Sequence, residues 1–305
     1  MLRDELKDIL DDSHLHLNLK PRSPRSSLFG IWDSPFAGDD GLEFEEDREY
    51  QPGDNFKRIN APLSSRLDQL MVKRYRETRE VRMLIILDAS PSMMLREKIK
   101  TAFSALSVLH ISAQEVFMPA SIWAVGSDHE LQIRPPMRLQ HIEHVIDALC
   151  GDEDEDNPFI VPREDTLSLD LWRTFLVPDS YVFVISDFLS GKDLDFKELL
   201  DYNPFHCRFM PVVVQDDLEH SFPILPHRFG VDVGLWDTEE QMVKTARLNR
   251  KRSKNIKTAH ERRFSLLQEM FDTNHLSYVH CADPDVESVY KALQDALEEE
   301  RSKKR

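Results

Sequence analysis

The chain has 305 residues, of which 41% are hydrophobic and 31% are charged. This length is enough for one large α/β domain with an appendage, or for two small domains. Its 39 basic and 55 acidic residues give a formal net charge of −16. A charge of this sign repels phosphate backbones, which argues against general nucleic-acid binding.

The cysteines and the N-terminus indicate where the protein works. Cys150, Cys207 and Cys281 lie far apart, a pattern that predicts neither a disulfide framework nor a zinc or redox pair and that fits a reducing compartment. The first ten residues are charged and amphipathic, without the apolar core of a signal peptide. No run of about 18 apolar residues occurs. We therefore expect a cytoplasmic protein without a membrane span.

Composition along the chain predicts three segments. Residues 1–40 are predicted to form a short helix and a linker, because residues 21–27 (PRSPRSS) cannot bury enough apolar surface to fold alone. Residues 41–80 are dense in charge and turn residues and end in a predicted strand at 71–75. From residue 81 to about 300, apolar runs alternate with amphipathic stretches, which predicts the main domain.

The main domain has the pattern of an α/β fold. Residues 81–87 (VRMLIIL) form a nearly continuous apolar run, typical of a strand buried on both faces. Residues 96–117 place apolar side chains at spacings of three and four, which predicts a helix. The alternation predicts a mostly parallel sheet with helices on both faces. Further strands are predicted at residues 120–125, 131–133, 181–185, 209–214 and 276–280, and further helices at 139–149, 166–175, 194–200, 238–272 and 285–301.

Polar side chains follow two of the predicted strands. Asp88, Ser90 and Ser92 lie directly after the first strand, and Asp187 follows the strand at 181–185. The carboxyl ends of parallel strands meet at one edge of the sheet. Mg²⁺ prefers six oxygen ligands, so the hydroxyls are expected to bind it directly while the carboxylates hold its waters. A helix cap made by Asp88 and Ser90 is the alternative explanation.

These loops resemble the von Willebrand factor A superfamily. Further short stretches carry a narrower resemblance: residues 41–44 (GLEF), 48–54 (REYQPGD), 58–59 (RI), 72–74 (VKR), 88–92 (DASPS), 166–167 (TL) and 186–188 (SDF). Through them the chain resembles the bacterial family called domain of unknown function 58, often associated with MoxR-type AAA+ ATPases, over roughly residues 40–295. In this chain Asn60-Ala61 stands where that family typically has Asp-Trp.

The resemblance implies a von Willebrand factor A-like, Rossmann-type fold with a metal-ion-dependent adhesion site. Ser90, Ser92 and, in one of the site's states, Thr166 would touch the metal directly. The implied cofactor is Mg²⁺, with Mn²⁺ or Ca²⁺ as alternatives. The full set of implied metal-site residues is Asp88, Ser90, Ser92, Thr166 and Asp187.

We therefore expect a metal-dependent protein-interaction module rather than an enzyme. It would serve as adaptor or substrate-binding partner of a MoxR-type AAA+ ATPase in chaperone-like remodelling or maturation, gripping the ATPase or its client through an Asp or Glu of that protein. No Walker-type glycine loop occurs, so ATP hydrolysis would belong to the partner. The alternative is a metal-dependent hydrolase, which the lack of a histidine or lysine in the motif disfavours.

A basic stretch at residues 247–263 (RLNRKRSKNIKTAHERR) stands out in this acidic chain. Such a stretch can contact nucleic acid or an acidic partner. As a lone patch it more often forms the exposed face of a long helix. We expect such a face here, with no affinity for nucleic acid.

Overall fold

The computed structural model describes residues 2–12, 14–17, 19, 31–34, 42–52, 54–94, 96–126, 129–134, 137–150, 160–162, 175–176, 180–189, 200, 207–220, 222–224, 231–237 and 242–303. Contacts divide the chain into two compact units. The larger contains Met1–Leu19 and Arg82–Arg305, and the smaller is Lys20–Val81. The first helix therefore belongs to the larger unit.

The elements alternate as the sequence pattern indicates. In chain order they are α1 (Leu2–Asp12), β1 (Ile31–Ser34), β2 (Leu42–Glu49), a 3₁₀ turn (Phe56–Arg58), α2 (Ala61–Leu67), β3 (Met71–Glu80), β4 (Met83–Asp88), α3 (Arg96–Glu115), β5 (Ala120–Val125), β6 (His129–Ile133), α4 (Leu139–Leu149), β7 (Ile160–Pro162), β8 (Tyr181–Ser186), β9 (Arg208–Val214), α5 (Asp217–His220), β10 (Val231–Asp237), β11 (Met242–Leu248), α6 (Arg250–Thr273), β12 (Val279–Cys281) and α7 (Val286–Lys303). Across the described part of the chain, every helix is too short or too polar to serve as a membrane span.

The smaller unit is built on an antiparallel sheet in which β3 lies between β1 and β2. After β2, the Arg48 guanidinium donates to both carboxylate oxygens of Asp54, at 2.6 and 2.9 Å. The same carboxylate accepts from the backbone N–H of Gln51 at 2.8 Å. A two-pronged arginine–carboxylate contact fixes geometry as well as charge. The first and last residues of the REYQPGD segment, Arg48 and Asp54, are therefore held together.

Asn60 has a structural role in the smaller unit. Its side-chain oxygen accepts from the backbone N–H of Leu63 at 3.3 Å, so Asn60 caps α2. Its side-chain amide donates to Asp47 at 2.9 Å, which ties the start of α2 to β2. Asparagine is among the favoured helix caps, and Asn60 therefore closes the N-terminal end of α2.

The larger unit contains a mostly parallel sheet, as predicted. Its strand order is β12-β9-β8-β4-β5-β6-β7. The five strands from β12 to β5 pair in parallel, whereas β6 and β7 continue the sheet antiparallel. The central strands β4, β5 and β8 are buried along their whole length. This burial explains why they are nearly continuous apolar runs instead of alternating ones.

Helices cover both faces of this sheet. One face, which includes Ile86 and Val184, packs against Phe271 of α6. Helix α3 contacts β4, β8 and β9 but contributes nothing to that cluster, so it lies on the opposite face. There α3 packs against α7 and α1, and α1 also contacts α4. Leu6 and Leu10 of α1 are buried, which explains why this helix belongs to the larger unit.

One predicted helix begins later than the sequence suggested. The prediction of a helix over residues 238–272 is wrong in its first part, because β11 (Met242–Leu248) pairs antiparallel with β10. Asn249 then accepts from the backbone N–H of Arg252 at 2.9 Å and caps α6. The backbone of Met242–Leu248 is satisfied by this pairing with the preceding strand, in which Asp237 lies opposite Met242, and helix propensity alone does not reveal such a pairing. The predicted helices at 166–175 and 194–200 lie outside the described residues, apart from Phe175 and Leu200.

His110 is an unusual buried group on α3. Its side chain is 3% exposed, and neither ring nitrogen has a hydrogen-bond partner among the described residues. Burial lowers the pKa of His110 from 6.5 to about 4, with a smaller contribution from the charge of His141. The folded protein therefore holds this imidazole in its neutral form at physiological pH.

Replacing His110 by leucine should leave stability at neutral pH unchanged or raise it by about 1–3 kcal/mol, since unpartnered buried polar atoms are removed. The unfolded chain binds a proton at the ordinary histidine pKa while folded His110 stays neutral. Stability of the wild type is therefore lost as pH falls from about 6.5 towards 4, the direction linkage requires for a lowered pKa. Urea titrations at several pH values should show a shallower loss in His110→Leu than in the exposed control His14→Leu. Equal slopes would contradict this assignment.

Candidate functional site

The two loops predicted to bear the site lie next to each other at one edge of the sheet. Strand β4 pairs with β5 on one side and with β8 on the other, so the order of strands reverses between β4 and β8. Ligands of parallel α/β sheets bind at such a reversal, beyond the carboxyl ends of the strands. Asp88 ends β4, Ser186 ends β8, and Asp187 follows it.

Asp88 is a buried carboxylate held by neutral donors. It is 1% exposed. One carboxylate oxygen accepts from the backbone N–H of Ser90 at 2.9 Å, and the other from the Ser186 hydroxyl at 2.5 Å. Burial raises the pKa of Asp88, an effect that these hydrogen bonds oppose and the nearby charge of Asp187 strengthens. Within the described ranges, no cationic side chain forms an ion pair with Asp88.

The geometry of the loop after β4 differs from a helix cap. The hydrogen bonds of Asp88 go to Ser90 and Ser186, and α3 begins only at Arg96. The hydroxyl oxygens of Ser90 and Ser92 lie 3.2 Å apart. Two neighbouring ligands of an octahedral Mg²⁺, each at about 2.1 Å, are separated by roughly 3.0 Å. The hydroxyl pair therefore fits adjacent coordination positions of such an ion.

Asp187, by contrast, has a cationic partner that the sequence analysis missed. Its carboxylate accepts from the backbone N–H of Leu189 and from the Lys98 ammonium, both at 2.8 Å. Lys98 also donates to Glu219 at 2.5 Å. Lys98 and Asp187 are both fully buried. The sequence contains one sign of this role: Lys98 lies one turn before the buried Ala102, on the apolar side of α3.

Glu219 and Arg263 extend this charged network across the edge of the sheet. Burial raises the pKa of Glu219, and the hydrogen bond and charge of Lys98 oppose the increase. The second carboxylate oxygen of Glu219 is buried without a hydrogen-bond partner among the described residues. Arg263 of α6 donates to the backbone oxygen of Asp187 at 3.4 Å. Burial lowers the pKa of Arg263, against the charges of Glu219 and Asp187.

The loop after β8 has a strained backbone. Phe188 has a φ of 52°, in the left-handed region that bulky side chains rarely adopt. Its N–H donates to the Ser186 hydroxyl at 2.9 Å, and its ring packs edge-on against Phe271 at 5.6 Å. Strain of this kind costs about 1–3 kcal/mol and concentrates at functional sites. The surrounding contacts enforce this conformation next to Asp187.

Four of the five predicted metal-site residues lie on these two loops, and Thr166 falls outside the described residues. Throughout the described part of the chain, this edge included, no group of three or more His, Cys, Asp or Glu side chains is arranged to hold a metal ion. A cation at this edge would therefore depend on hydroxyl and water ligands. The prediction missed Lys98, Glu219 and Arg263, and it quoted Ser186 in the SDF motif without assigning it to the site.

Replacing Lys98 by methionine should destabilise the fold by about 3–5 kcal/mol, because it leaves buried Asp187 and Glu219 without their cation. The matched control is Lys291→Met, which breaks an exposed ion pair with Glu287 and should cost less than about 1 kcal/mol. Urea denaturation of both variants measures the difference. Similar losses of unfolding free energy in the two variants would show that the buried ion pairs contribute no more to stability than an exposed one.

Comparison with known proteins places the chain in a family. No curated protein matches it. Among solved structures, a conserved hypothetical protein BatB from Bacteroides thetaiotaomicron matches with a TM-score of 0.34 and 15% identity, covering 73% of this chain and 99% of that one. An aerotolerance-related membrane protein from Bacteroides fragilis matches with a TM-score of 0.32 and 12% identity, covering 72% and 99%. The family model described as protein of unknown function DUF58 matches residues 46–264, well over half of the chain, and the protein therefore belongs to the DUF58 family.

Proposed function

We propose that the larger unit is a von Willebrand factor A-like domain that binds Mg²⁺ at the edge formed by β4 and β8. The observation that carries the proposal is Asp88, a buried carboxylate without a cationic partner in the described chain, beside the paired hydroxyls of Ser90 and Ser92. Buried charges in proteins are paired or coordinate metal ions. Asp187 already has Lys98, and a divalent cation would fill the corresponding role for Asp88.

The strand order of the larger unit supports the proposed von Willebrand factor A-like fold. Apart from β7, the strands β4, β5, β6, β8, β9 and β12 lie in the spatial order 3-2-1-4-5-6 when numbered along the chain. This order is that of a Rossmann-type, doubly wound sheet, the fold that the resemblance implies. The two loops of the proposed site lie where the order reverses.

The ligand chemistry favours binding of an outside carboxylate. Ser90 and Ser92 would hold the cation directly, with Thr166 joining in one of the site's states, while Asp88 and Asp187 would hold its waters. Neutral direct ligands leave most of the positive charge of the cation uncompensated, so an Asp or Glu of a partner can complete the coordination. Mn²⁺ or Ca²⁺ are alternatives to Mg²⁺ in the same oxygen environment.

The partner we propose is a MoxR-type AAA+ ATPase or its client, in chaperone-like remodelling or maturation in the cytoplasm. The chain has no Walker-type glycine loop, so a partner would supply ATP hydrolysis. Leu218, adjacent to Glu219 on α5, exposes 54% of its surface. Apolar side chains beside a polar site suit a protein contact better than a small polar substrate.

Glu219 supports a second candidate, a metal-dependent hydrolase. Its raised pKa and buried, unpartnered carboxylate oxygen are properties of a general base. The cation would then activate water. Lys98 already engages the other oxygen of this carboxylate, which favours a structural role for Glu219 and ranks the hydrolase below the interaction module.

Mg²⁺ or Mn²⁺ at millimolar concentration should bind the purified protein and raise its melting temperature, because a ligand of the folded state stabilises it by mass action. The Ser90→Ala and Ser92→Ala variants should each lose this increase, whereas Ser265→Ala, at an exposed position on α6, should keep it. Calorimetry and thermal unfolding measure both effects. If the wild-type protein binds neither ion, alone or with its partner, the proposal of a metal site is wrong.

Asp88→Ala should lower partner capture by about 10–100-fold while leaving the protein folded, since groups that orient metal ligands typically contribute that much to affinity. EDTA should reproduce the loss in wild-type protein, and added Mg²⁺ should reverse it. The control is Asp272→Ala, at an exposed position on α6. The measurement is a pull-down with the candidate ATPase and its clients, beside a panel of ester and phosphate substrates. If neither EDTA nor Asp88→Ala changes partner capture, and an ester or phosphate substrate is turned over in a metal-dependent reaction, the hydrolase is favoured.

A further inference from the structure

Positive charge is concentrated in one part of this acidic protein. Residues 241–260 contain seven lysines and arginines and no aspartate or glutamate, although the whole chain carries a net charge of −16. The structure places this segment on β11 and the first half of α6. The seven residues are Lys244, Arg247, Arg250, Lys251, Arg252, Lys254 and Lys257.

The first turns of α6 do not need these cations for folding. Arg250, Lys251 and Lys254 are exposed, and their side chains form no hydrogen bond or ion pair with any residue of the described ranges. Cations near a helix N-terminus oppose the helix dipole, and like charges one turn apart repel. Arg250 and Lys254 lie near the N-terminus of α6 and one turn apart, so both effects apply to them. These cations therefore destabilise the helix on which they lie, and their exposed charges are available to a binding partner.

We propose that the first half of α6 is a docking surface for an acidic segment of a protein partner. Arg250, Lys254 and Lys257 follow one another at spacings of four and three, so they share one side of the helix over about 10 Å. A partner segment with carboxylates at similar spacing matches this row. We call Arg247, Arg250, Lys251, Lys254 and Lys257 the basic row.

Charge and side-chain chemistry favour a protein over a nucleic acid. The net charge of −16 repels a long phosphate backbone, whereas a short acidic segment meets mainly the local field of the basic row, since salt screens charges beyond about 10 Å. Residues 241–260 also contain no Phe, Tyr or Trp on which unpaired bases would stack.

Apart from Arg247, which lies on β11, the basic row lies on the helix that also reaches the proposed metal site, although the docking proposal does not depend on that site. Arg263 of α6 donates to the backbone oxygen of Asp187. Along the helix axis, Lys257 and Arg250 lie about 9 and 20 Å from Arg263. A partner whose carboxylate enters the site can therefore lay an acidic stretch along the same helix. Attraction of this kind raises the association rate and sets orientation.

The test uses a fluorescent peptide of about 15 residues with glutamates at helical spacing, and its glutamine counterpart. Fluorescence anisotropy should show that the protein binds the glutamate peptide but not the glutamine peptide. The affinity for the glutamate peptide should be weaker at roughly 0.2 M than at 0.05 M salt. The triple variant Arg250→Glu, Lys251→Glu, Lys254→Glu should lose about tenfold or more in affinity. A second variant with glutamine at the three positions should lose less. The glutamate variant should melt no lower than wild type, because its carboxylates favour the helix dipole.

The matched control changes the same net charge elsewhere. Lys57, Arg66 and Arg134 are exposed, and their joint replacement by glutamate should leave peptide affinity within about twofold. An equal loss in this control would assign binding to net charge and overturn the proposal. Tighter binding of duplex DNA, RNA or anionic vesicles than of the peptide would also overturn it, as would salt-sensitive self-association abolished by the α6 variant. If the folded wild-type protein does not bind the glutamate peptide, the docking proposal is wrong, whatever the affinity of the protein for Mg²⁺.

Discussion

The edge of the sheet depends on the buried ammonium of Lys98. This group lies between the carboxylates of Asp187 and Glu219, at 2.8 and 2.5 Å, and brings together α3, the end of β8 and α5. Carboxylates removed from water are unfavourable as ions unless a charge or several hydrogen bonds compensate them. With Lys98 in place, two of the acidic groups at this edge have a counter-charge, and the loops that bear them acquire a defined position.

The same requirement makes Asp88 stand out. Its carboxylate is as buried as Asp187 but receives only neutral donors, from Ser90 and Ser186. Ser186 joins the two loops, because its hydroxyl donates to Asp88 while its oxygen accepts from the backbone of Phe188. The strained backbone of Phe188 is thus fixed by the group that orients Asp88. The Asp88 carboxylate is therefore oriented by Ser90 and Ser186 without a counter-charge in the described chain, and the proposed Mg²⁺ site rests on this observation.

Helix α6 connects this edge with the exposed cations Arg250, Lys251 and Lys254. Its C-terminal half packs Phe271 into the core, and Arg263 reaches the backbone of Asp187. Its N-terminal half presents cations that have no compensating partner in the described chain. One rigid element therefore carries core contacts, a contact to the site and an outward-facing charge. A partner bound to the basic row would act on the element that supports the loop after β8.

The sequence determined the α/β alternation, most strand positions and the two polar loops, because these depend on local periodicity and on which residue follows a strand. It also indicated family membership, through the segment closed by Arg48 and Asp54. The tertiary structure decided which charges are compensated. Lys98 lies 89 residues from Asp187 and 121 from Glu219, and β11 pairs with β10 instead of extending α6. The ion pairs of Lys98 join groups that are distant along the chain, and β11 is held in extended form by its pairing with the preceding strand. Local helix propensity carries no information about either kind of partner.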